Sequence, residues 1–469
     1  MSEPRAHGPG ASLPRASAAD ESALHAARRV LADLFGPPAA RPFAVRLWDG
    51  SVDAPVSARR APFTLVVCRR GALRRMLLPP SELSIIHAYL RGDLDVEGDF
   101  EAAATLGDLV AGRLATPAAA ARAVWHAARL PLGDGPQGAR RAGRPPALRG
   151  VRKLVRRHTP GRDRRAVRYH YDVGNDFYAL WLDRRMIYSC AYFEPGVDDL
   201  DTAQEAKLDY VCRKVRLEPG ERLLDIGCGW GGLAMYAAER YGAEVLGITL
   251  SEPQAELARS RIAAAGLAER CRVEVLDYRA CRDYGGFDKI VSIGMVEHVG
   301  RERLPDYFQT AFRLLRPGGL FLNHGIVSIA AARARGVRHR VAARLWRRNA
   351  FIHRYVFPDG DLVPAAAVIA SAEGAGLELR DVESLREHYV TTLRHWRTRL
   401  ERCVHEAVDL VGEETYRVWR LYLAASGYGF RTGRIGVIQT LLAKPDQEGR
   451  VRLPPTRRDL YGGAPGRGA

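Results

Sequence analysis

A glycine-rich stretch after a short apolar run is the part of the chain best suited to bind a ligand. Residues 223–226 have the composition of a buried strand and lead directly into Gly227, Gly229 and Gly232. Because glycine has no Cβ, such a turn lets backbone N–H groups approach a ligand closely, and a helix is predicted to follow over residues 233–241. This arrangement predicts a pocket for a nucleotide-type cofactor.

The charges around this loop help to identify the cofactor. The spacing Gly227-x-Gly229-x-x-Gly232 satisfies the dinucleotide fingerprint, which also requires an acidic residue at the end of the second strand. That strand ends near Thr249, and no acidic residue stands at that point. The Asp225 carboxylate would also repel a pyrophosphate. S-adenosylmethionine carries an ammonium and a sulfonium but no phosphate, and we favour it over the alternative, NAD.

Two other segments carry groups that could act on a substrate. Glu297 and His298 follow a predicted strand, and a carboxyl and an imidazole at that place form a plausible acid–base pair. Upstream, Tyr188, Tyr192 and Phe193 stand close together in the sequence. We expect an apolar, aromatic-lined substrate site facing the cofactor, although ordinary core packing is the alternative for any single aromatic residue.

Strands and helices alternate from Arg222 onward. The predicted strands are 222–226, 244–249, 272–276, 289–293 and 320–323, and the predicted helices between them include 253–265 and 304–315. This alternation predicts an α/β fold with a doubly wound, mostly parallel sheet. Ligands of such sheets bind at the carboxyl ends of the strands, near the switch in strand order.

The rest of the chain is predicted to contain one smaller domain and three connecting segments. Residues 41–111 have the pattern of a small N-terminal α/β domain, for which we expect a docking or lipid-binding role. Residues 1–40 are predicted to be a disordered tail, residues 112–168 a basic connector and residues 446–469 a C-terminal tail. The cofactor-binding domain then covers residues 169–445.

Composition restricts the class of partner. The chain has 71 Lys and Arg against 54 Asp and Glu, a net charge of +17, and residues 140–168 hold twelve basic residues with Asp163 as the sole acid. This balance favours an anionic partner such as nucleic acid, lipid headgroups or an acidic small molecule, the alternative being a general preference for arginine. Seven cysteines without a Cys-x-x-Cys pair argue against a disulfide framework or a zinc site, so no metal is expected. No apolar run is long enough to span a bilayer, so membrane contact is expected to be peripheral.

Five segments, in order along the chain, match one known family. They are residues 170–178, residues 186–193, the glycine loop with Thr249-Leu250-Ser251-x-x-Gln254, residues 294–300, and Phe430-Arg431 with Gln439. On these motifs the chain, over roughly residues 165–445, resembles the cyclopropane-fatty-acyl-phospholipid synthases and the mycolic acid cyclopropane synthases. The resemblance implies a class I methyltransferase-type fold for residues 169–445.

The resemblance also implies an activity. S-adenosylmethionine would methylate the cis double bond of an unsaturated phospholipid acyl chain, and a base would remove a proton from the resulting carbocation as the cyclopropane ring closes. Aromatic faces stabilise positive charge, and Tyr188, Tyr192, Phe193 and Trp230 are the candidates. Family members are understood to hold a bicarbonate ion as the base. The matching catalytic positions are Cys190, Glu297, His324, Ile326 and Tyr389.

Of these five positions, Cys190 and Ile326 would contribute backbone groups and the other three their side chains. The cofactor positions, which include Asp225 from the charge argument above, are Tyr188, Ser189, Asp225, Gly227, Gly229, Gly231, Thr249, Gln254, Asp277 and Tyr278. In this assignment Tyr188 and Ser189 lie near the methionine part of the cofactor. Thr249 and Gln254 lie near the ribose, and Asp277 and Tyr278 flank the adenine.

One position departs from the family pattern and keeps alternatives open. Family members often carry a larger residue where this chain has Gly325, and glycine would add backbone freedom beside His324. Loss of a proton without ring closure would give a methylene-branched chain. A methyltransferase acting on RNA and a lipid-binding relative without catalysis are further alternatives, although all five catalytic positions hold the expected residue types.

The same reasoning gives expectations about partners and location. The protein is expected in the cytoplasm, held peripherally at the inner face of the membrane by the basic connector, with an anionic phospholipid bilayer as its partner. No nucleic acid partner is expected. A homodimer is left open.

Overall fold

The chain divides into two units, which a computed structural model describes over residues 18–55, 61–79, 81–114, 116–131, 173–329, 351–357, 360–451 and 453–461. Of the described residues, those up to 131 form one unit and those from 173 onward form the other. None of the helices in these described ranges is both long and apolar enough to cross a membrane.

The N-terminal unit is a small sheet with helices. Its strands are β1 (Ala44–Arg46), β2 (Val52–Asp53), β3 (Phe63–Val67) and β4 (Leu94–Gly98), in the order β2-β1-β3-β4. Its helices are α1 (Ala18–Phe35), α2 (Ala72–Leu77), α3 (Glu82–Leu90), α4 (Phe100–Ala103), α5 (Leu106–Arg113) and α6 (Pro117–Ala128). β1 pairs in parallel with β3, and the other pairs are antiparallel, so this unit has the α/β character that the sequence predicts.

Two predicted segments next to this domain are wrong in part. Residues 1–40 were expected to be disordered, yet α1 buries Ala27, Val30, Leu31 and Leu34, a stripe at the i, i+3, i+4, i+7 spacing of a helix. The alanine-rich, polar composition around this stripe concealed it. The basic connector was expected to begin at residue 112, but α6 packs against α1 within the N-terminal unit. The basic residues 140–168 lie outside the described residues.

The second unit is built on a seven-stranded sheet. Its strands are β5 (Arg222–Ile226), β6 (Glu244–Thr249), β7 (Cys271–Val275), β8 (Phe287–Ile293), β9 (Leu315–Ser328), β10 (Glu378–Ser384) and β11 (Ile435–Ala443). The order is β10-β11-β9-β8-β5-β6-β7, with only β11 antiparallel to its neighbours. The predicted doubly wound, mostly parallel sheet is confirmed.

Helices cover both faces of this sheet. They are α7 (Asn175–Ala179), α8 (Leu200–Lys214), α9 (Gly232–Tyr241), α10 (Glu252–Ala264), α11 (Val296–Val299), α12 (Leu304–Leu314), α13 (Ala365–Gly374), α14 (Arg386–Arg402), α15 (Val404–Arg431) and α16 (Arg458–Tyr461). Two apolar clusters result, one where α8, α9 and α10 meet the sheet and one under α12 and α13. The strand order reverses between β5 and β8, so the glycine loop opens at the crevice where α/β sheets bind ligands.

Two predictions for this unit are corrected. The predicted strand 320–323 is only the centre of β9, because the polar residues Asn323 and His324 continue the strand while buried against neighbouring strands. Residues 446–469 were expected to be a tail, yet α16 packs on α8 and buries Leu460. Arg457 forms an ion pair with Asp381 of β10. Residues 462–469 lie outside the described residues.

Candidate active site

The glycine loop requires glycine at two positions for different reasons. Gly229 has a φ of +55°, in the left-handed region, and an added Cβ would meet open space. Gly232 is close to its neighbours instead, since a Cβ there would lie 2.3 Å from the Ile187 Cδ1 atom. The Gly227 N–H donates to the Ile248 carbonyl at 2.9 Å, which ties the loop to the end of β6.

One pocket at this loop collects nine of the ten predicted cofactor residues. They are Tyr188, Ser189, Asp225, Gly227, Gly229, Thr249, Gln254, Asp277 and Tyr278. The tenth, Gly231, does not line the pocket. A Cβ on Gly231 would lie 3.1 Å from the Ala258 Cβ atom, so this glycine allows the loop to pack against α10. This packing gives Gly231 a structural role, and its predicted contact with the cofactor stays a prediction.

Two opposite charges line the same pocket. Burial raises the pKa of Asp225 to about 7, although the nearby Lys207 opposes this shift. Burial lowers the pKa of Lys207 to about 8, and its Nζ atom donates to the Ser189 hydroxyl at 2.9 Å. Among the described residues no ion pair within 4.0 Å joins Lys207 to Asp225. A ligand with its own ammonium and carboxylate, as in an amino acid, would complement both.

Lys207 was missed in the sequence. Ala203, Lys207 and Val211 follow one another at a spacing of four residues in α8, and all three are buried. A lysine within an apolar helical stripe is a signal for a buried charge, because lysine is almost never fully buried without a partner. Its partners could not be identified from the sequence, because only the fold brings Ser189 and Asp225 close to Lys207.

The far end of the pocket is polar and fixed by hydrogen bonds. The Thr249 hydroxyl donates to Gln254 Oε1 at 2.9 Å. The Asp277 carboxylate accepts from the Arg279 backbone N–H at 2.9 Å and from its Nη2 at 2.6 Å. Tyr278 packs edge-on against Tyr307 with ring centroids 5.4 Å apart. These contacts hold rigid the residues predicted to surround the ribose and the adenine.

Glu297 is buried and only half satisfied. Its Oε1 accepts the Ile326 backbone N–H at 2.7 Å, while Oε2 has no hydrogen-bond partner among the described residues. Burial raises the pKa of Glu297 to about 7. Ile326 therefore uses its N–H to hold Glu297, while the predicted contact of its backbone with an anion stays a prediction. The predicted partner of Glu297, His298, instead lines the cofactor pocket and packs edge-on against Phe357.

Cys190 and Tyr389 meet at the start of α14. The Cys190 thiol donates to the Leu385 carbonyl at 3.6 Å, and the Tyr389 N–H donates to the same carbonyl at 3.0 Å. Leu385 in turn donates to the Val437 carbonyl, and Val437 pairs with Ile326 across β11 and β9. Burial raises the pKa of the Cys190 thiol, so the sulfur stays protonated. Backbone hydrogen bonds and strand pairing thus link four of the five predicted catalytic residues, Cys190, Tyr389, Ile326 and Glu297.

The fifth, His324, lies two residues before Ile326 on the same face of β9. Burial, with Lys207 and Lys214 nearby, lowers the pKa of His324 to about 3, so the imidazole is neutral. Its Nδ1 atom lies 3.2 Å from Gln439 Nε2. Gln439 is one of the residues that match the family motifs, and this contact gives it a role beside His324.

Gly325 is glycine because of space. Its φ lies outside the left-handed region, so the expected gain in backbone freedom is wrong. A Cβ at residue 325 would lie 2.1 Å from Val296 Cγ1 and 3.9 Å from Glu297 Oε2. Val296 therefore occupies the volume that a larger residue at position 325 would need, next to the unpartnered carboxylate oxygen.

Aromatic rings form one continuous cluster beside the cofactor pocket. This aromatic cluster consists of Phe177, Tyr178, Trp181, Tyr188, Trp230, Trp396 and Trp419. Tyr178 joins the two predicted members, with its ring centroid 5.5 Å from Tyr188 and 5.0 Å from Trp230. Tyr192 and Phe193 lie elsewhere, stacked on His388 and His395. The expectation that they belong to the substrate site is therefore corrected.

Comparison with known proteins places this geometry in context. The family model for mycolic acid cyclopropane synthetase matches residues 158–440. A probable fatty acid methyltransferase of Pseudomonas putida is 42% identical over 420 residues, 90% of this chain and 96% of that protein. The cyclopropane-fatty-acyl-phospholipid synthase of Escherichia coli K12 is 38% identical over 282 residues, 60% of this chain and 68% of that protein.

A solved structure agrees with these relatives. The mycolic acid cyclopropane synthase CmaA1, complexed with SAH and CTAB, superimposes with a TM-score of 0.56 at 36% identity and covers 60% of this chain and 98% of its own. The shared part is the sheet domain with its pocket.

Proposed function

This chain belongs to the mycolic acid cyclopropane synthetase family of S-adenosylmethionine-dependent, lipid-modifying methyltransferases, and from that membership we propose its reaction. It methylates the cis double bond of an unsaturated phospholipid acyl chain and closes a cyclopropane ring. The observation that carries the proposal is the position of Tyr188, which lines the cofactor pocket and also belongs to the aromatic cluster. Cofactor and apolar substrate therefore meet at one ring.

The cofactor pocket suits the methionine part of S-adenosylmethionine, which supplies an electrophilic methyl group. Asp225 would face its ammonium and Lys207, steadied by Ser189, its carboxylate. Opposite charges placed in this way orient the cofactor as well as bind it. Orientation matters because an alkene is a weak nucleophile, and holding two reactants in line removes much of the entropic barrier.

The aromatic cluster suits the charge that the reaction creates. Methyl transfer to an alkene leaves a carbocation, and aromatic faces attract cations by about 0.5 to 2 kcal/mol each. Burial keeps Cys190 in its thiol form, so it does not offer a thiolate to trap the cation. Water is excluded from the same region by the packed tryptophans Trp181 and Trp396, both buried.

A bicarbonate ion fits the remaining requirement, which is a base. The unpartnered Glu297 Oε2, the neutral His324 imidazole, the Tyr389 side chain and the Cys190 backbone are the groups that would hold it. Bicarbonate would supply the proton acceptor that ring closure needs. A carboxyl with a raised pKa can donate a hydrogen bond to such an anion, which an ionised carboxylate cannot do.

A methylene-branched product is the second candidate. Val296 fills the space that a side chain at position 325 would occupy, and a Cβ at that position would lie 3.9 Å from Glu297 Oε2. Val296 would therefore form the wall of the base site that residue 325 provides in other family members. A base held in another position would remove a different proton from the same carbocation.

We also propose an anionic bilayer at the cytoplasmic face as the partner surface. The twelve basic residues within 140–168 support this, at about 1 kcal/mol for each basic residue near the headgroups. Binding to vesicles containing anionic lipid should weaken as salt is raised, because the attraction is screened. Binding that ignores salt would contradict the proposal.

The reaction is tested by incubating the purified protein with S-adenosylmethionine, bicarbonate and vesicles of cis-monounsaturated phospholipid. We expect a mass gain of one CH2 per acyl chain and loss of the alkene protons in NMR spectra. An exocyclic methylene signal would favour the second candidate. An unchanged lipid, with cofactor binding verified by calorimetry, would contradict both and direct the search to other substrates such as RNA.

A further inference from the structure

The structure assigns Gln439 and Lys214 as positioning residues that determine which ring nitrogen of His324 carries its proton. We infer that they fix the Nε2–H tautomer and so present a hydrogen-bond donor to the base site. What that donor would hold rests on the proposed function. The tautomer itself does not, and it can be measured independently.

The assignment follows from a chain of donors and acceptors. The Lys214 ammonium can only donate, and its Nζ atom lies 2.9 Å from Gln439 Oε1. An oxygen must therefore face Lys214, which turns the amide Nε2 toward His324. That nitrogen can only donate, and it lies 3.2 Å from the imidazole Nδ1. Nδ1 must accept, so the proton of the neutral ring is on Nε2.

Lys214 is itself held in place by carboxylates. It is buried, forms an ion pair with Glu383, and lies 3.7 Å from Asp381 Oδ2. The Tyr210 hydroxyl donates to Glu383 Oε2 at 2.8 Å, and Arg457 pairs with Asp381. Two cations thus balance two anions, and although burial lowers the pKa of Lys214, the Glu383 and Asp381 carboxylates oppose this shift. The start of the chain of hydrogen bonds is therefore fixed.

The opposite tautomer would change the chemistry of the site. With its proton on Nδ1, His324 would have a bare lone pair on Nε2 and could not donate from that nitrogen to the anion of the proposed function. The residues that orient an imidazole through its second nitrogen typically change affinity or activity by about 10- to 100-fold when removed. We expect a loss of this size in turnover for Gln439→Leu, with S-adenosylmethionine affinity unchanged.

The direct test is ¹⁵N NMR of imidazole-labelled protein, with the His324 signals identified by their absence in His324→Gln. We expect a protonated Nε2 and a bare Nδ1 in the wild type. In Gln439→Glu the new carboxylate accepts from the ring, so Nδ1 should gain a proton. This variant has nearly the shape of glutamine and guards against a folding failure of Gln439→Leu.

The matched control is Thr440→Val. Thr440 is the next residue on β11, fully buried, and donates to the Asn323 carbonyl at 3.2 Å without contacting His324. It should leave both ring signals and turnover unchanged. A wild-type spectrum with the proton on Nδ1, or an unmoved spectrum in Gln439→Glu, would overturn the inference. Neither result depends on whether the lipid reaction occurs, so failure of the proposed function would be recognised separately.

Discussion

The cofactor pocket and the proposed base site, which comprises Cys190, Glu297, His324, Ile326 and Tyr389, are built in different ways. The pocket is centred on the glycine loop and completed by α8 and the ends of β6, β7 and β8, and its two buried charges, Asp225 and Lys207, moderate each other. The proposed base site takes Glu297 from α11, Tyr389 from α14, two residues from β9 and Cys190 from the segment before α8, and its hydrogen-bond partners are neutral backbone and amide groups.

Burial acts in both regions with different results. In the pocket it leaves two groups near the point of ionisation, where an ionic ligand can complement them. In the base site it raises the pKa of Glu297 to about 7 and lowers the pKa of His324 to about 3, so both tend toward their neutral forms. In the proposed reaction, a site without nucleophilic charge of its own would not trap the carbocation.

The largest effect is expected when a side chain fills the open space beside Gly229. Gly229→Val places a branched side chain where the cofactor would lie, and we expect S-adenosylmethionine binding to weaken by about a hundredfold or more. Calorimetry measures this. Gly266→Val is the matched control, because Gly266 also has a left-handed φ, +68°, and open space around its Cβ, but lies outside the pocket residues. Equal losses in both variants would show that backbone strain, and not the pocket, is responsible.

A change in the proposed base site should affect turnover without affecting cofactor affinity. Glu297→Gln removes a carboxyl from the base site without touching the pocket lining, so turnover should fall by about 10²- to 10⁴-fold while cofactor affinity stays the same. Steady-state kinetics and calorimetry together test this. The exposed Glu302→Gln on the neighbouring turn should change neither quantity. Normal turnover in Glu297→Gln would remove this residue from the mechanism.

The neutrality of the base site predicts a dependence on pH. Since the pKa of Glu297 is raised from 4.5 to about 7, its protonation stabilises the fold below about pH 4.5, and this contribution is lost as the pH rises through 7. Glutamine has no such loss. The free energy of unfolding of Glu297→Gln relative to wild type should therefore rise between pH 5 and 8, by up to about 3 kcal/mol. Urea unfolding at both pH values measures it, and a constant difference would contradict the assignment.

The smallest expected effect is on stability and concerns the packing of Gly325 against Val296. Gly325→Ala forces a Cβ against Val296, which should cost about 1 to 3 kcal/mol of stability. Val296→Ala should relieve this, so the double variant is expected to be more stable than the sum of the single changes predicts. Urea unfolding of the four proteins tests the coupling. Additive effects would mean that the two side chains do not compete for the same space.

The sequence predicts the pocket far better than the base site. The glycine loop, Asp225 and Thr249 act through local backbone geometry, which a short motif contains in full. The contacts of His324 with Gln439, and of Gln439 with Lys214, join residues more than one hundred positions apart. Such contacts depend on strand register, which no local pattern specifies. Of the five catalytic positions, only Glu297 was indicated by the residues themselves, and the family resemblance that supplied the other four did not distinguish the Ile326 N–H as a support for Glu297.

The same limit explains the errors outside the site. Helix α16 is a single turn without a strong helix signal, whereas α1 does carry a helical stripe but follows a stretch rich in Pro, Gly and Ser. What Leu31 and Leu460 are buried against is set by residues distant in the sequence. Tyr192 and Phe193 were assigned to the substrate site by proximity in sequence to Tyr188. In an extended segment successive side chains point in different directions, and these two turn toward α14.

The contact between Val296 and Gly325 has a consequence for the history of the family. The two positions lie on different elements and share one small volume. A larger residue at position 325 therefore requires a smaller one at position 296. Lineages that carry a bulky residue at the position of Gly325 should therefore carry a smaller one at the position of Val296. An ancestor that crossed between the two solutions would have passed through an alanine or glycine at both.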